Sequence, residues 1–563
     1  MGLIVRSAAN CKNCYKCVRT CPVKAVRFTG GQAEVVEELC LHCGECVLSC
    51  PQRAKSFVAE GAEILRSWLG KERIAVSLAP STISYFPDVA RLIARLKAEG
   101  AEVVRETAEG AALVAKATGE WVREHPDQPW VSTSCPVVVN FFEKHHPDLL
   151  SYLVPVVSPM VAHGRLLKKR FGEVKVIMIA PCPAKIGEAR DSRALGTVDA
   201  VVTFHELAEY LGLEEQEPIL RAEPGRLPEE DRVSRLYPLP GGMLPAAGED
   251  LGWNQAILHG IDDLEFLVES LRKGTVQPGL IEALGCRQGC LGGFSFRRQG
   301  RYAAQSQQFL ASLSNWPKGD WAEEQLPLKR TYQPRVMDRK QPSDLEIRQV
   351  LREIGKVRPE DELNCGACGY SSCREKAIAV CQGLAEVGMC MPYMESRAES
   401  LSNTIIEATP NAIILTDREL RIQEFNPAAE HLFQQSRGGL IGQPLDLVIP
   451  VDDFLQVAKD HQPILGKKVT YPKYGKITRQ TIVWVEEHDL VLALIADITR
   501  QEQQILAMQE VKEETIQKAQ EVIDKQMRTV QEIAGLLGET AAESKILLTQ
   551  LMGLVSRDGG SDE

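Results

Sequence analysis

The chain has 563 residues, and 44% of them are hydrophobic, which is more than one core can hold and predicts about three to five domains. The formal net charge of −11 argues against a nucleic-acid partner, because such proteins usually present a basic face. No apolar run approaches the ~18–20 residues that cross a membrane, and the first residues lack the apolar core of a signal peptide. We therefore expect no membrane association and a cytoplasmic location, where the 17 cysteines favour metal thiolates over disulfides.

Residues 1–58 contain the same cysteine spacing twice. The pattern Cys-x2-Cys-x2-Cys-x3-Cys-Pro begins at Cys11 and again at Cys40, and it matches the bacterial ferredoxin pattern for two 4Fe–4S clusters, in which the last cysteine of each run ligates the other run's cluster. A disulfide or zinc framework is the alternative. The pattern predicts a ferredoxin-like α+β domain that carries single electrons, with the following ligand sets: Cys11, Cys14, Cys17 and Cys50 for the first cluster, and Cys40, Cys43, Cys46 and Cys21 for the second.

Residues 70–316 alternate strand-like and helical patterns. Apolar runs at 74–81, 174–182 and 198–204 are separated by amphipathic stretches. This alternation predicts an α/β domain with a mostly parallel sheet, in which ligands bind beyond the carboxyl ends of the strands. The polar, proline-containing residues 317–345 are predicted to be a linker.

Four cysteines of the α/β region stand in three short motifs. The motifs are Ser-Thr-Ser-Cys-Pro, Ala-Pro-Cys-Pro-Ala-Lys and Cys-Arg-Gln-Gly-Cys, and they contain Cys135, Cys182, Cys286 and Cys290. Four thiolates from three loops can hold one cubane cluster, and the neighbouring glycines let the backbone approach a bulky inorganic group. The alternative is that these cysteines are small buried core residues.

The three motifs resemble the H-cluster motifs of iron-only (FeFe) hydrogenases, and the resemblance runs from residue 1 to about residue 310. It implies that the four cysteines hold a 4Fe–4S cubane, and that Cys290 also bridges to a two-iron subsite carrying CO, cyanide and a dithiolate. It further implies that Lys185 donates a hydrogen bond to a cyanide and that Glu188 anchors the loop of Lys185.

Several positions depart from the catalytic members of that family. Ser134 replaces the cysteine that is their final proton donor, and a hydroxyl is a far weaker acid than a thiol, whose pKa is about 8.5. Ala180 and Leu284 replace methionines, and Gly110 and Leu113 replace the glutamates of the proton relay. The departures indicate a metal site that is kept while its proton supply is weakened.

Residues 346–399 contain a further set of cysteines. The segment Cys-Gly-Tyr-Ser-Ser-Cys resembles a small 4Fe–4S domain of corrinoid iron–sulfur proteins and some redox sensors. The resemblance implies one further 4Fe–4S cluster, and zinc is the alternative because a four-thiolate zinc site makes similar ligand demands. Cys381 is left over and is predicted to be a packed thiol. The four predicted ligands are Cys365, Cys368, Cys373 and Cys390.

Residues 400–500 resemble a PAS domain, a mixed α/β fold that binds cofactors or relays signals. The segments that carry this resemblance are 409–417, 422–433 and 497–499. They do not indicate which ligand, if any, the domain holds.

Residues 501–555 are predicted to form a helical coiled coil. Apolar or small residues recur at spacings of three and four from Ile516 to Leu554, which is typical of a parallel dimer. One amphipathic helix packed on the body is the alternative. From the apolar stripe we expect a homodimer. Because no kinase or phosphatase motif is visible, we expect the tail to act on a separate signalling protein, such as a kinase or a phosphatase.

These predictions give three hypotheses for the function. The first is a sensory hydrogenase of low turnover in an anaerobe, which handles H2 and protons, exchanges electrons with a ferredoxin-type partner, and signals through its PAS and coiled-coil tail. The second is a catalytic, ferredoxin-linked hydrogenase. The third is an iron–sulfur electron-transfer protein without the two-iron subsite. The substitutions at Ser134 and Ala180 and the missing glutamates of the proton relay favour the first.

Overall fold

The computed structural model describes residues 2–58, 60–86, 88–213, 230–248, 254–296, 302–313, 316, 324–534 and 541–555. The chain divides into two compact units, residues 1–394 and 395–563, and each is described by itself. Among the described residues, no helix combines the length and apolar character that a membrane span requires.

The first 58 residues form two small antiparallel sheets and two short helices. The elements are β1 (Ile4–Arg6), α1 (Lys16–Thr20), β2 (Val26–Thr29), β3 (Gln32–Val35), α2 (Glu45–Leu48) and β4 (Lys55–Phe57). Strand β1 pairs with β4, and β2 pairs with β3. Each helix follows a residue in the left-handed conformation, Tyr15 or Gly44, which turns the chain sharply between cysteines of one run. The predicted α+β character of this segment is confirmed.

The next segment is an α/β domain with two parallel sheets. Its strands are β5 (Ile74–Leu78), β6 (Val103–Glu106), β7 (Pro129–Val131), β8 (Lys175–Ala180), β9 (Ala200–Thr203), β10 (Gln255–His259) and β11 (Gly279–Leu284). One sheet has the order β6-β5-β8-β9, and the other has the order β10-β11-β7. Strands β5, β8 and β11 are almost wholly buried, as expected where helices cover both faces of a parallel sheet.

Eleven described helices of this domain connect the strands and cover the sheets. They are α3 (Gly61–Trp68), α4 (Thr82–Tyr85), α5 (Val89–Ala98), α6 (Ala108–Glu124), α7 (Pro136–His145), α8 (Pro159–Phe171), α9 (Ala184–Ala189), α10 (Phe204–Leu211), α11 (Leu244–Ala247), α12 (Ile261–Arg272) and α13 (Tyr302–Ser312). The core around the four-stranded sheet is built from its buried Val, Ile, Leu and Phe residues. The prediction of a parallel α/β domain is confirmed.

The segment predicted to be a linker is partly bound to the α/β domain. In residues 324–335, Arg330 N donates to the oxygen of Pro155 at 2.9 Å, and Arg335 N donates to the oxygen of Glu143 at 2.7 Å. The Tyr332 hydroxyl donates to the oxygen of Val156 at 2.9 Å. These residues connect two domains along the chain, and backbone carbonyls and a buried carboxylate of the α/β domain bind them. Residues 317–323 of the predicted linker lie outside the described residues.

The third cysteine segment contains two helices, α14 (Asp344–Glu353) and α15 (Cys373–Cys381). Ser343 caps α14 and forms a reciprocal capping box with Glu346, which fixes where the helix begins. The helices pack through Ile347, Leu351 and Ala377. Helix α16 (Met391–Ala408) begins directly after Cys390.

The second unit contains a five-stranded antiparallel sheet. Its elements are β12 (Ala412–Thr416), β13 (Ile422–Phe425), α17 (Pro427–Phe433), α18 (Arg437–Leu440), α19 (Asp452–Asp460), β14 (Ile464–Tyr471), β15 (Lys476–Val485) and β16 (Leu490–Asp497). The strand order is β13-β12-β16-β15-β14. Phe425, Phe433 and Phe454 are fully buried between the sheet and the helices.

The tail consists of two helices that contact each other, α20 (Thr499–Ala534) and α21 (Ala541–Val555). The predicted apolar stripe crosses residues 535–540, and its members Leu537 and Thr540 lie outside the described residues. A coiled coil between two chains stays a prediction.

Candidate functional site

The carboxyl ends of three parallel strands bring the central cysteines together. Cys135 follows β7, Cys182 follows β8 and Cys286 follows β11. Because β7 and β11 belong to one sheet and β8 to the other, the site lies where the two sheets meet. All four predicted residues, Cys135, Cys182, Cys286 and Cys290, line one cavity of about 120 Å³.

Three of the four thiols of this cavity have a pKa above the ordinary value. Burial, together with the neighbouring cysteines, raises the pKa of Cys182 to about 11 and that of Cys290 to about 12. Burial also raises the pKa of Cys286 well above its ordinary value, and Cys182, Cys135 and Cys290 add to the shift. Without a metal, Cys182, Cys286 and Cys290 therefore stay protonated at neutral pH, whereas a bound cation deprotonates a coordinating thiol.

Lys185 points its ammonium group into the same region. Its Nζ donates to Glu188 Oε2 at 2.8 Å and to the backbone oxygen of Ser134 at 3.3 Å. Glu188 is buried and also accepts from Arg330 at 3.4 Å. The chain thus holds Lys185 in place from α9 on one side and from the 324–335 segment on the other.

The substituted positions surround the cavity as well. Ser134, Ala180 and Leu284 all line it. The Ser134 hydroxyl donates a weak hydrogen bond to Met243 Sδ at 3.9 Å, and it also forms a hydrogen bond with the phenol of Tyr237. None of the described residues that line the cavity is Asp, Glu or His.

Residues 106–113, which correspond by resemblance to the glutamate relay, contain two buried carboxylates that face arginines. Glu106 accepts from Arg235 Nε at 2.8 Å. Glu109 accepts from Arg105 Nε at 2.6 Å and from Arg170 Nη1 at 3.0 Å. Both carboxylates are therefore held in place by arginines, and a carboxylate that cannot move is a poor proton carrier.

Gly110, which replaces a relay glutamate by resemblance, packs against α8. A Cβ atom at this position would lie 2.5 Å from the oxygen of Pro159 and 2.7 Å from Cβ of His163. No larger residue fits there without moving α8.

Two ionisable residues near the cavity have no signal in the sequence patterns. Tyr237 lines the cavity, and its phenol lies near Ser134 and Glu282. Glu282 is buried and accepts from the backbone N–H groups of Gly241 and Met243, each at 3.0 Å. Burial raises the pKa of Glu282 to about 7, although these hydrogen bonds oppose the shift. Only the folded chain brings residues 237–244 to this strand, so no local motif could have identified them.

In each ferredoxin-like cysteine set, thiols of one run lie beside the last thiol of the other run. The pKa of Cys17 is raised by burial, and the thiols that raise it further are Cys50, Cys11 and Cys14. Burial likewise raises the pKa of Cys43, together with Cys21, Cys40 and Cys46. The last cysteine of each run therefore lies with the first three of the other run.

Several backbone N–H groups point at these sulfurs. Ala25 N donates to Cys21 Sγ at 3.1 Å, and His42 N donates to Cys40 Sγ at 3.3 Å. Such hydrogen bonds stabilise an anionic thiolate and help to set the potential of an iron–sulfur cluster.

The second set adjoins the central cavity. Cys43 lies close enough to Cys286 to contribute to its raised pKa, and Cys43 packs with Cys135 and Cys182 in one apolar cluster. A Cβ atom at Gly44 would lie 2.7 Å from the ring of Phe294, so the glycine permits a close approach of the two segments.

The third set also converges. Cys365, Cys368, Cys373 and Cys390 line one small pocket, and Lys376 lines it with them. Gly366 has a φ of +70°, which a glycine adopts without strain and which folds the loop around the pocket. Cys381 does not line this pocket and packs with the helices α14 and α15, as predicted.

Three buried lysines accompany the cysteine sets and lack carboxylate partners. Lys55, Lys144 and Lys376 are 5%, 5% and 1% exposed. Each donates only to backbone oxygens: Ala33 for Lys55, Glu37 and Cys40 for Lys144, and Val387 for Lys376. In the part of the chain that the structure describes, none of the three forms an ion pair. An unpaired buried cation is costly, so an anionic iron–sulfur group beside each lysine fits these sites well.

The thiols of the central set and those of the third set each line a cavity. Among the described residues, no three His, Cys, Asp or Glu side chains are close enough together to hold a single metal ion.

Comparison with known protein families identifies four domains. Residues 72–254 match the family "iron only hydrogenase large subunit, C-terminal domain". Residues 3–51 match the 4Fe–4S dicluster domain, residues 361–392 match a putative Fe–S cluster family, and residues 402–489 match the PAS fold. The chain is thus an iron–sulfur, hydrogenase-like protein with a PAS domain.

Curated relatives match a smaller part of the chain. A cytosolic Fe–S cluster assembly factor NAR1 from Vanderwaltozyma polyspora is 32% identical over 112 residues, which are 19% of this chain and 21% of that protein. The NAR1 protein of Yarrowia lipolytica is 31% identical over 134 residues, which are 21% of this chain and 26% of that protein. The chain spans about a fifth to a quarter of the length of these relatives.

Solved structures include hydrogenases and PAS domains. A variant of the FeFe-hydrogenase HydA1 from Chlamydomonas reinhardtii has a TM-score of 0.36 and 17% identity, and it covers 50% of this chain and 100% of its own. The PAS domain of nitrogen regulation protein NR(II) from Vibrio parahaemolyticus has a TM-score of 0.14 and 22% identity, and it covers 17% of this chain and 94% of its own.

Proposed function

We propose that this iron–sulfur protein, with its iron-only hydrogenase-type domain and its PAS domain, is a low-turnover sensory hydrogenase that signals H2 or redox state. One observation carries the proposal. The described lining of the central cavity offers four thiols and Lys185 but no carboxylate or imidazole. Such a site has the cysteines that bind the metal group, but its described lining has no carboxyl or imidazole group that could supply protons quickly.

The central cysteines are proposed to hold the H-cluster. Cys135, Cys182, Cys286 and Cys290 would ligate its cubane, and Cys290 would bridge to the two-iron subsite. When bound, this group supplies the iron at which hydrogen is taken up or released. Lys185, held 2.8 Å from Glu188, would stabilise an anionic ligand of that subsite through its positive charge.

Proton supply at the cavity rests on hydroxyl groups. Ser134 stands where the catalytic members of the family carry a thiol, and general acid catalysis is most efficient when the pKa of the acid lies near the working pH. Glu106 and Glu109 are held by arginines, and the Glu282 carboxyl is bound to backbone N–H groups. Each arrangement slows proton delivery relative to a cysteine and glutamate relay.

Electrons are proposed to pass through the two ferredoxin-type clusters. Cys43 of the second set adjoins Cys286 of the central set, so the second cluster would exchange electrons with the cubane. The first cluster would exchange them with a ferredoxin-type partner.

The output is proposed to be a signal to another protein in the cytoplasm. The PAS domain and α20 would carry the change, and two chains would associate through the helical tail. The separate partner would be a kinase or a phosphatase. Sedimentation of the full chain tests the dimer, and a purely monomeric protein would contradict it.

Infrared spectroscopy of the matured protein tests the central proposal. Bands from CO and cyanide bound to iron are expected, together with hydrogen turnover far below that of catalytic hydrogenases. Bands accompanied by rapid turnover would support the catalytic, ferredoxin-linked alternative.

A second candidate follows from the relatives. The matches to cytosolic Fe–S cluster assembly factors favour an iron–sulfur electron-transfer or assembly role without the two-iron subsite. A fully loaded protein that shows cluster absorption but no CO or cyanide bands would establish this candidate in place of the first.

A further inference from the structure

The third cysteine segment is docked on the ferredoxin-like domain. Arg19 Nη1 donates to the oxygen of Ala367 at 2.9 Å, and Arg19 Nη2 donates to the oxygen of Cys14 at 3.1 Å. One arginine therefore joins the backbone of the third site to the backbone of a predicted ligand of the first ferredoxin cluster.

Backbone hydrogen bonds extend this interface. Phe28 N donates to the oxygen of Leu384 at 2.9 Å, and Gly30 N donates to Glu386 Oε1 at 2.6 Å. The ferredoxin-like domain supplies the donors of these bonds and the third cysteine segment supplies the acceptors, and together the bonds fix the distance between the two domains.

Close packing occurs beside the cysteines themselves. A Cβ atom at Gly369 would lie 2.9 Å from Val18 Cγ1 and 3.0 Å from Arg19 N, so only glycine permits the observed approach. We call Val18, Arg19, Gly369 and Tyr370 the docking contact.

Tyr370 connects the two sets of thiols. Burial raises the pKa of its phenol, and Cys368 of the third site and Cys21 of the second ferredoxin set raise it further. These two cysteines also share one apolar cluster with Val18. The third site and the second ferredoxin cluster site are therefore separated by packed side chains at the docking contact.

Lys376 places a positive charge in the wall of the third pocket. Its side chain is almost fully buried, and its Nζ donates to the oxygen of Val387 at 2.9 Å. Cys390, Cys368 and Cys373 are the thiols that surround it. A nearby cation stabilises the more negative, reduced state of a cluster, because net charge is one of the quantities that set cluster potentials.

We propose that the docking contact is an electron-transfer junction between the ferredoxin domain and the third iron–sulfur site, and that Lys376 favours residence of the electron at the third site. In the transfer, a ferredoxin-domain cluster loses one electron and is oxidised, and the third cluster gains that electron and is reduced. The path of electron transfer from the central cavity through the ferredoxin domain thus divides, and one branch ends at the third site.

The branch ends at the start of a helix. Cys390 lines the third pocket, and its backbone oxygen accepts from Met394 N at 2.9 Å in the first turn of α16. A change of charge at the third site therefore acts on Cys390, whose backbone oxygen holds the first turn of α16. Along the chain, α16 is followed by β12. This inference deepens the proposed function, since it identifies the cluster that reports to the PAS domain.

Electron paramagnetic resonance of the full chain tests the junction. With the clusters reconstituted and reduced by dithionite, we expect magnetic interaction between the third cluster and a ferredoxin-domain cluster. Gly369→Ala should weaken this interaction, because the added methyl group pushes Val18 and Arg19 away. Gly383→Ala is the matched control, since Gly383 has a φ of +70° but nothing within 4 Å of a Cβ atom.

A second variant covers the case in which Gly369→Ala loses iron from the third site. Arg19→Gln removes the bonds to Ala367 and Cys14 without replacing a cysteine or adding bulk at Gly369, and it should also weaken the interaction. The junction is refuted if the wild-type clusters show no interaction, or if the interaction is undiminished in whichever of these variants keeps full iron content.

Redox titration tests Lys376. At a fixed potential, Lys376→Met should lower the reduced-to-oxidised ratio of one cluster about tenfold, which corresponds to about 59 mV for a one-electron couple. Lys376→Gln should behave likewise and guards against a folding defect in one variant. Lys340→Met is the control, because Lys340 is exposed and pairs with Glu346.

An unchanged ratio in both Lys376 variants with intact iron content would overturn the role of this lysine. None of these measurements uses hydrogen or the two-iron subsite. The sensory proposal can therefore fail while the junction stands, and the junction can fail while CO and cyanide bands are present.

Discussion

Lys185 Nζ lies 2.8 Å from Glu188 Oε2, and this buried pair adjoins the four-cysteine cavity. Arg330 reaches the other carboxylate oxygen at 3.4 Å. Two cations therefore share one carboxylate, and the side chains of Glu188 and Arg330 are 3% and 7% exposed. Breaking a buried pair leaves uncompensated charge, which costs about 3–5 kcal/mol.

The first prediction concerns this pair. Glu188→Gln should release Lys185, lower hydrogen-exchange protection of α9 and shift the cyanide bands of the matured protein. Glu60→Gln, which removes an exposed partner of Arg190, should cost only about 0–1 kcal/mol and leave the bands in place. Unchanged bands and unchanged protection in Glu188→Gln would contradict the role given to this pair.

The second prediction concerns proton supply. Ser134→Cys restores a thiol at the cavity wall and should raise hydrogen turnover of the matured protein by about 10²–10⁴-fold, the usual contribution of general acid–base catalysis. Ser81→Cys is a matched control, because Ser81 lines the same cavity but is not the position of the family's proton donor. Equal turnover in the two variants would show that proton transfer at residue 134 does not limit the rate.

The third prediction concerns the exchange of ligands between the ferredoxin clusters. Cys21→Ser should perturb the same cluster as Cys43→Ser. The reason is that Cys21 is the thiol that contributes most to the raised pKa of Cys43, so the two lie close together. Cys17→Ser should perturb the other cluster. Paramagnetic resonance of the three variants, with iron content as a check, distinguishes the pairs, and a Cys21 spectrum that resembles the Cys17 spectrum would argue against cross-ligation.

The fourth prediction concerns pH. The pKa of Glu282 is raised from 4.5 to about 7, so the folded chain binds a proton that the unfolded chain releases between these values. The contribution of Glu282 to the free energy of unfolding is then most favourable below a pH of about 4.5. It falls by about 3 kcal/mol as the pH rises through 7.

Hydrogen exchange of residues 237–244, which Glu282 holds, measures that change locally. Glu282→Gln should remove the pH dependence, whereas Glu120→Gln on the surface of α6 should keep it. A pH dependence that survives in Glu282→Gln would assign the titration to another group.

Much of the site follows from local patterns. Cys182, which follows β8, could be placed because ligands gather at the carboxyl ends of parallel strands. The repeated ferredoxin spacing likewise specified which thiols lie together. Both predictions depend on residues that are close in sequence to the strands or turns that position them.

The remaining features depend on contacts between distant residues. Arg235 and Glu106 are 129 residues apart, and Glu282 binds backbone groups 41 and 39 residues away. The lysines Lys55, Lys144 and Lys376 look like ordinary surface residues in the sequence, since nothing nearby shows that backbone oxygens will receive them. Packing of one domain on another decides these cases.

The 324–335 segment has a consequence for how such chains are assembled from modules. Its arginines complete charge pairs inside the α/β domain, so the covalent connection between two modules is also a structural part of the first. Recombination that replaces the downstream modules can preserve the hydrogenase-type domain only if the breakpoint falls beyond Arg335. Gene fusions that kept a folded hydrogenase-type domain should therefore also have kept the 324–335 segment, whichever domain follows it.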